Sequence, residues 1–211
     1  MIDIAAANQE AATVRRGTSL EAEAMAGALA RAFYDDPVFS WVLHGDLRRM
    51  RVLRRGFELF LRRLWLDHEQ TYTTAGSVGA AVWEPPGQWK APLATQMRLL
   101  PAMIACFGRH IPRVLSSLTR LEAGHPREPK FPPHYYLAFL GVDPVWQGRG
   151  LGAALLAPVL ARCDADGVPA FLESSTPRNQ ALYERHGFEA MDEFALGRGA
   201  PPQWRMWREP R

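Results

Sequence analysis

Residues 134–142 form an almost unbroken apolar and aromatic run, and a glycine-rich loop and a helical repeat follow it directly. A strand of that composition is buried on both faces, so it belongs inside a sheet rather than at an edge. Behind the loop, Leu151, Leu155, Leu156, Val159, Leu160 and Cys163 recur at helical spacing, and Gly167 stands at the expected stop. Pro158 inside that helix is expected to kink it. Residues 168–174 read as a second strand, and Thr176-Pro177 supplies a helix cap with a first-turn proline. That helix ends at Gly187, and residues 188–196 with 203–208 form a closing strand pair. The order β-α-β-α-β requires parallel strands at the centre of the sheet.

Composition excludes several classes. Of 211 residues, 47% are hydrophobic and 22% charged, close to the usual balance of a globular chain, so neither disorder nor a collagen-like repeat applies. The longest stretch free of charged side chains, 70–83, contains Thr, Ser and Gly and is too short to span a bilayer. Residues 1–13 carry Asp3 and Glu10 and lack a basic start and an apolar run, unlike a secretory signal. Cys106 and Cys163 give neither a disulfide framework nor metal-ligand spacing, so no metal is expected and a reducing cytoplasm is the default. The formal net charge of +3 is too small to demand a nucleic acid. Seven arginines do fall between positions 48 and 63, and a nucleic-acid contact through them would show a steep salt dependence. A solvated basic helix face is the simpler reading.

The first half is expected to hold a short strand at 13–16, then a helix opened by the capping box of Thr18 and Glu21 and stopped at Asp35-Asp36-Pro37. A second helix is expected from Asp46, with Leu47, Met50, Leu53, Phe57, Leu61 and Leu64 on one stripe and Gly56 as a weak point. Residues 71–74 and 78–83 read as strands around Ala75-Gly76-Ser77. Between 87 and 133 the pattern suggests short helices broken by Pro101 and Pro112, a variable insert ending in a polar linker at 124–133. Its apolar pieces between Leu93 and Leu121 would suit a homodimer contact or a lid.

The chemistry concentrates at Gln147-Gly148-Arg149-Gly150-Leu151-Gly152. A helix N-terminus offers unpaired N–H groups, and glycines let a phosphate approach the backbone, so a pyrophosphate is the natural occupant. The P-loop pattern fails because the loop has no lysine. Gly148, Gly150 and Ala153 satisfy the dinucleotide fingerprint G-x-G-x-x-A, with Glu173 at about the right distance. However, residues 143–147 separate the strand from the loop, and too little chain follows Gly152 for two sheet halves.

Gln147, Gly150 and Gly152, after a strand ending Leu140-Gly141-Val142, resemble the acetyl-CoA-binding motif Q-x-x-G-x-G of the GCN5-related N-acetyltransferase superfamily. Downstream, Asn179, Tyr183 and Gly187-Phe188 resemble that superfamily's N-x-x-x-Y-x-x-x-G-F. Within it the chain is most similar to the puromycin N-acetyltransferases and their relatives, strongly over about 134–189. The resemblance implies one acetyltransferase domain over residues 1–211, with the insert at about 87–133. It implies an α/β fold whose mixed, mostly antiparallel sheet has two splayed central parallel strands and flanking helices. The pantetheine arm of acetyl-CoA would enter the gap along Leu140, Gly141 and Val142, and Gln147, Gly148, Arg149, Gly150, Leu151 and Gly152 would hold its pyrophosphate. Asp143-Pro144 is expected to break strand pairing where an outside ligand needs free backbone groups.

Acyl transfer from a thioester to an amine requires loss of a proton from the amine, stabilisation of an oxyanion and protonation of a departing thiolate. Tyr183 suits the last role, since phenol and thiol have comparable pKa values. Asn179, four residues earlier, shares its helical face and would frame the sulfur end of the cofactor. The N–H of Val142 is the candidate oxyanion donor. Glu173 is a candidate base, a binding group for a cationic substrate, or a helix cap near Thr176. His134 reads as a linker-packing residue. Asp35, Asp36 and His44 fall in a loop where this superfamily commonly contacts its acceptor, and Phe33, Trp41 and Trp83 are pocket walls or core. The expected reaction is direct transfer to the primary amine of a small molecule in a ternary complex, with no nucleic acid or membrane partner. Protein or peptide amines, polyamines and amino-acid derivatives remain alternatives, as does a non-catalytic CoA-binding sensor.

Overall fold

The computed structural model describes residues 3–211, leaving Met1 and Ile2 of the N-terminal stretch outside the described residues. Seven strands form one sheet: β1 (Arg15–Arg16), β2 (Thr71–Thr73), β3 (Gly79–Glu84), β4 (Tyr135–Val142), β5 (Ala170–Ser174), β6 (Glu189–Ala195) and β7 (Pro202–Arg208). Their spatial order is β1-β2-β3-β4-β5-β7-β6. Only β4 and β5 run parallel, and the other neighbours are antiparallel. No described helix is long and apolar enough to cross a membrane.

Helices cover both faces. On one side, α2 (Ala22–Ala32) and α4 (Arg49–Phe60) bury Met25, Leu29, Leu53 and Phe57 against β3 and β4. On the other, α7 (Leu151–Asp166) and α8 (Pro177–Arg185) bury Leu155, Leu156, Val159 and Tyr183. Trp83 lies in this second core, which decides it as packing rather than pocket wall. The capping group at Glu21 forms as expected, its carboxylate accepting from the N–H and hydroxyl of Thr18 at 3.1 and 2.8 Å.

Two helices escape the sequence pattern. One, α1 (Ile4–Ala12), is alanine-rich and buries only Ala7, so it carries almost no periodic signal. The other, α3 (Pro37–Val42), begins at the very residues expected only to end a helix. Asp36 accepts from the N–H groups of Val38 and Phe39 at 2.9 and 3.1 Å, and Pro37 occupies the first turn, where its missing N–H is no loss. Helix α4 starts at Arg49 rather than Asp46; Asp46 instead caps the turn before it, leaving Leu47 fully exposed and outside the stripe. It runs on into a π-helical turn, Leu61–Trp65.

The insert also differs from expectation. Its core is two full helices, α5 (Leu93–Phe107) and α6 (Ile111–Gly124), and Pro101 lies inside α5 without ending it. Burial of Leu99, Met103 and Phe107 against α4 outweighs the one backbone hydrogen bond the proline removes. Pro112 sits in the first turn of α6, where it is tolerated. The Phe107 ring packs directly over Gly56, where an added Cβ would come within 2.8 Å of it, so the helix-weakening glycine is what lets α5 dock.

A buried histidine pair fastens the linker at 124–133 to the sheet. The His134 Nδ1–H donates to the Pro132 carbonyl at 2.8 Å, so its Nε2 accepts from His125 Nε2 at 3.1 Å, and both rings are neutral. The Trp89 ring stacks on His125 at 3.9 Å. Desolvation, aided by the Arg127 charge and by repulsion from His134 were that ring protonated, pushes the His125 pKa down to about 3, and burial also lowers that of His134. Because these pKa values fall below those of the unfolded chain, their stabilisation is complete above about pH 6.5 and is lost as pH falls. Thermal melts between pH 6.5 and 5 are therefore expected to show a falling Tm, with a shallower slope in His125→Phe.

Candidate active site

The site begins with a defect in β4. Against β3, Phe139 faces Val82 and Leu137 faces Trp83, so Ala138 is an extra residue without a partner. Such a bulge bends its strand and increases local twist. Pairing between β4 and β5 covers only Tyr135, Tyr136 and Leu137 opposite Ala170, Phe171 and Leu172, and ends at that point. The opening therefore starts at the bulge, well before Asp143-Pro144. Pairing with β5 has already ended at Leu137, which corrects the expectation that this dipeptide breaks it, and on the β3 edge the Asp143 N–H still donates to Val78 at 2.9 Å. Asp143 instead caps the turn Pro144–Trp146 and binds Arg31 Nε at 2.5 Å, tying the end of α2 to the exit of β4.

The extra residue also reverses which backbone groups face the gap. Tyr135 donates to Pro169 beside β5, so before Ala138 the odd-numbered residues point toward β5. After it, Asp143, Gly141 and Phe139 pair with β3, and the N–H groups of Leu140 and Val142 point into the opening. Gly141 serves a different need: a Cβ there would come within 2.8 Å of Leu29, so its absence lets α2 lie close on the strand.

Beyond β4, Gly148 and Gly150 take left-handed backbone conformations (φ 76° and 82°) with nothing near their Cβ positions, so the requirement is conformational. The loop they shape presents the first turn of α7, whose N–H groups at Leu151, Gly152 and Ala153 have no partner within the helix. Gln147 Nε2 donates to the Val142 carbonyl at 2.9 Å, and Arg149 donates to the Val145 carbonyl at 2.6 Å, so both side chains brace the loop.

Two cavities result. The larger, about 790 Å³, is bounded by Leu140, Gly141, Val142, Gln147, Gly148, Gly150, Leu151 and Gly152 and by the face of α8. Arg178 and Arg185 line it as well, cations the sequence reading did not single out; their seven-residue spacing, two turns of α8, was the available signal. The smaller, about 180 Å³, is an apolar chamber between α3, α6 and the sheet, with Phe39, Val42, Leu118 and Leu121 in its wall and Glu173 facing it. Phe33 lines both cavities, whereas Trp41 lies against Gly197 and Arg113, and His44 lines neither. Asp35 borders the larger cavity.

Asn179 and Tyr183 border both spaces, with Leu140 and Asp36. Thr176 caps α8 by accepting from Asn179 N–H at 3.2 Å, which fixes the helix on which the two residues lie one turn apart. Burial and the charge of Asp36 raise the Tyr183 pKa, so its hydroxyl stays protonated at neutral pH. Burial pushes the Glu173 carboxyl up to about 7, against the opposing influence of the Tyr136 hydroxyl and Arg205. Asp36 is also raised by burial, but its oxygens are taken by the cap of α3 and by the Ser175 hydroxyl. Glu173 is thus the carboxylate in the chamber poised to exchange a proton near neutrality.

Comparison with known proteins agrees with this geometry. Residues 117–188 match the model of the acetyltransferase (GNAT) family, a segment from α6 through β4, the glycine loop, β5 and α8. An uncharacterized N-acetyltransferase of Schizosaccharomyces pombe is 28% identical over 200 residues, covering 88% of this chain and 78% of the relative. Among solved structures, histone acetyltransferase HPA2 and related acetyltransferase from Corynebacterium glutamicum superposes with a TM-score of 0.69 at 24% identity, covering 94% and 96% of the two chains. The Drosophila melanogaster polyamine N-acetyltransferase, described as forming N-acetylagmatine, gives 0.60 at 17% identity, covering 93% and 98%. With its parting parallel strands, glycine loop and matched segment, the chain is similar to the acetyltransferase (GNAT) family over residues 117–188, and these likenesses support an N-acetyltransferase.

Proposed function

We propose that the protein moves the acetyl group of acetyl-CoA to the primary amine of a small molecule, by direct transfer within a ternary complex. The carrying observation is the meeting of the two cavities at Tyr183: a long cleft lined by backbone donors and arginines adjoins a small apolar chamber that holds an acid. The larger cavity suits the cofactor on three counts: free N–H groups at Leu140 and Val142, the uncapped first turn of α7, and two cations on α8. Acetyl-CoA supplies the activated acyl group. In this reading Gln147 and Arg149 hold the phosphate loop in shape, Asn179 frames the sulfur end, and the Val142 N–H steadies the oxyanion.

Glu173 accepts the proton that the amine loses as its nitrogen bonds the acyl carbon. Tyr183 returns a proton to the sulfur as the carbon–sulfur bond breaks. A one-step transfer is favoured because neither cysteine lines either cavity: Cys163, on α7, is buried in the core, and Cys106 lies on α5. The small chamber favours a small acceptor, in keeping with the agmatine product named for the Drosophila neighbour and with the resemblance to puromycin N-acetyltransferases. The reading takes residues 1–211 as one acetyltransferase domain in the cytoplasm, in which the insert at about 87–133 walls the acceptor chamber through α6.

Release of CoA from acetyl-CoA with a panel of primary amines tests the reading. Initial rates at varied concentrations of both substrates are expected to give intersecting double-reciprocal lines; parallel lines would indicate an acyl-enzyme and overturn direct transfer. Tyr183→Phe is expected to lower kcat by roughly 100-fold or more, with little change in CoA binding by calorimetry. For Glu173, the proton must be absent before the carboxylate can act, so kcat/KM is expected to fall below about pH 7, and Glu173→Gln to lose activity together with that acidic limb. The same shift has a stability consequence. A carboxyl whose folded pKa lies above its unfolded value of 4.5 destabilises the fold as pH rises through 7, so Glu173→Gln is expected to raise Tm at pH 8 while abolishing turnover.

A further inference from the structure

The polar groups in the wall of the small chamber divide into two kinds. Some are satisfied within the protein. The Ser174 hydroxyl donates to the Thr176 carbonyl at 3.1 Å, the Ser175 hydroxyl donates to Asp36, and Asp36 also accepts from two backbone N–H groups of α3. Two others are not: the Ser117 hydroxyl on α6 and the Gln203 side-chain amide on β7 are buried, at 7% and 6% exposure, without a hydrogen-bond partner among the described residues. Buried polar groups are nearly always paired, and here two unpaired ones from different elements line the same apolar space. The remaining unpaired buried side-chain atoms, such as Trp83 Nε1 and Thr71 Oγ1, do not border it.

We infer that Ser117 and Gln203 form a specificity subsite for an oxygen, a hydroxyl or a carbonyl, carried on the apolar body of the acceptor at a distance from its amine. The inference rests on the reading of this chamber as the acceptor site. The Gln203 amide donates to that oxygen, and the Ser117 hydroxyl donates to or accepts from it. Register sets the spacing. Glu173 lies directly opposite Arg205 across β5 and β7, and Gln203 is two residues along from Arg205 on the same sheet face. The diagonal separation is roughly 7–8 Å at the backbone, the length of a ring with a short tether. An amine at Glu173 therefore places the far end of such a molecule beside Gln203. Phe39, Val42 and Leu118 contact the apolar body between them. A buried donor left unpaired by an unsuitable ligand discriminates far more sharply than one extra methylene, so the subsite also rejects amines of the same shape that lack the oxygen.

Two matched pairs of probes test this, phenethylamine with tyramine and hexylamine with aminohexanol, each assayed by CoA release at saturating acetyl-CoA. In at least one pair the oxygenated amine is expected to show kcat/KM about tenfold or more above its partner. Gln203→Leu is expected to bring the two within about twofold, mainly by lowering the rate with the oxygenated amine, and Ser117→Ala to reduce the preference in part. Since an apolar isostere removes an unpaired buried group, Gln203→Leu is expected to leave Tm unchanged or raised. Equal kcat/KM within both pairs would overturn the subsite while amine acetylation stood. A marked fall in Tm for Gln203→Leu would show that the protein itself uses the amide, and would overturn it too. Turnover of none of the four amines by protein that binds CoA would overturn the acceptor reading and the subsite with it.

Discussion

The single extra residue at Ala138 is what the rest of the site depends on. Through Leu137, β4 is an ordinary parallel partner of β5. One residue later its peptide groups have rotated by one register, and those that would have bonded β5 face an opening instead. A sheet resists such an opening because unpaired backbone groups are costly. Here the cost is tolerated because β3 continues to hold the other edge of β4 as far as Asp143, and because α2 lies close over Gly141. Strand, helix and the Arg31–Asp143 bridge together keep the gap from closing.

The two sides of the gap differ in character for physical reasons. Toward the glycine loop, the donors are main-chain N–H groups and the cations stand on the exposed face of α8, an environment for a phosphorylated ligand. Toward the insert, aromatic and aliphatic side chains exclude water and raise the pKa of Glu173. Tyr183 stands where the two environments adjoin, buried enough to keep its proton and placed to reach either side. Such a boundary sets a polar environment beside a low-dielectric one, and the low-dielectric side is where proton affinities can be brought together.

The insert gains a role through this arrangement. Its helices anchor to α4 through Phe107 over Gly56, and its linker to the sheet through the His125–His134 pair, so α6 is held as a wall of the chamber. Its outer surface keeps Leu93, Met97 and Ile104 exposed, and the inner surface carries Ser117.

How much of this was legible in the chain depends on the range of the interactions involved. The buried strand at 134–142, the loop from Gln147 to Gly152 and the helix bearing Asn179 and Tyr183 are specified locally, by apolar runs, glycines that alone accept the backbone angles, and the Thr176 cap. Composition and spacing therefore determined the sheet's centre and the residues that line the larger cavity. Local patterns failed where packing overrode them: Pro101 remains inside α5 because one face of that helix is buried, and Asp36-Pro37, expected as a helix stop, starts α3 four residues after α2 has ended at Ala32. The bulge at Ala138 leaves no mark in an apolar run, because its identity as an extra residue exists only relative to β3. Likewise nothing near Gln203 or Ser117 in the chain reveals that one chamber receives both. Tertiary structure alone decided where the strands part, which acid is buried and which polar groups go unpaired, since each is set by residues distant in sequence.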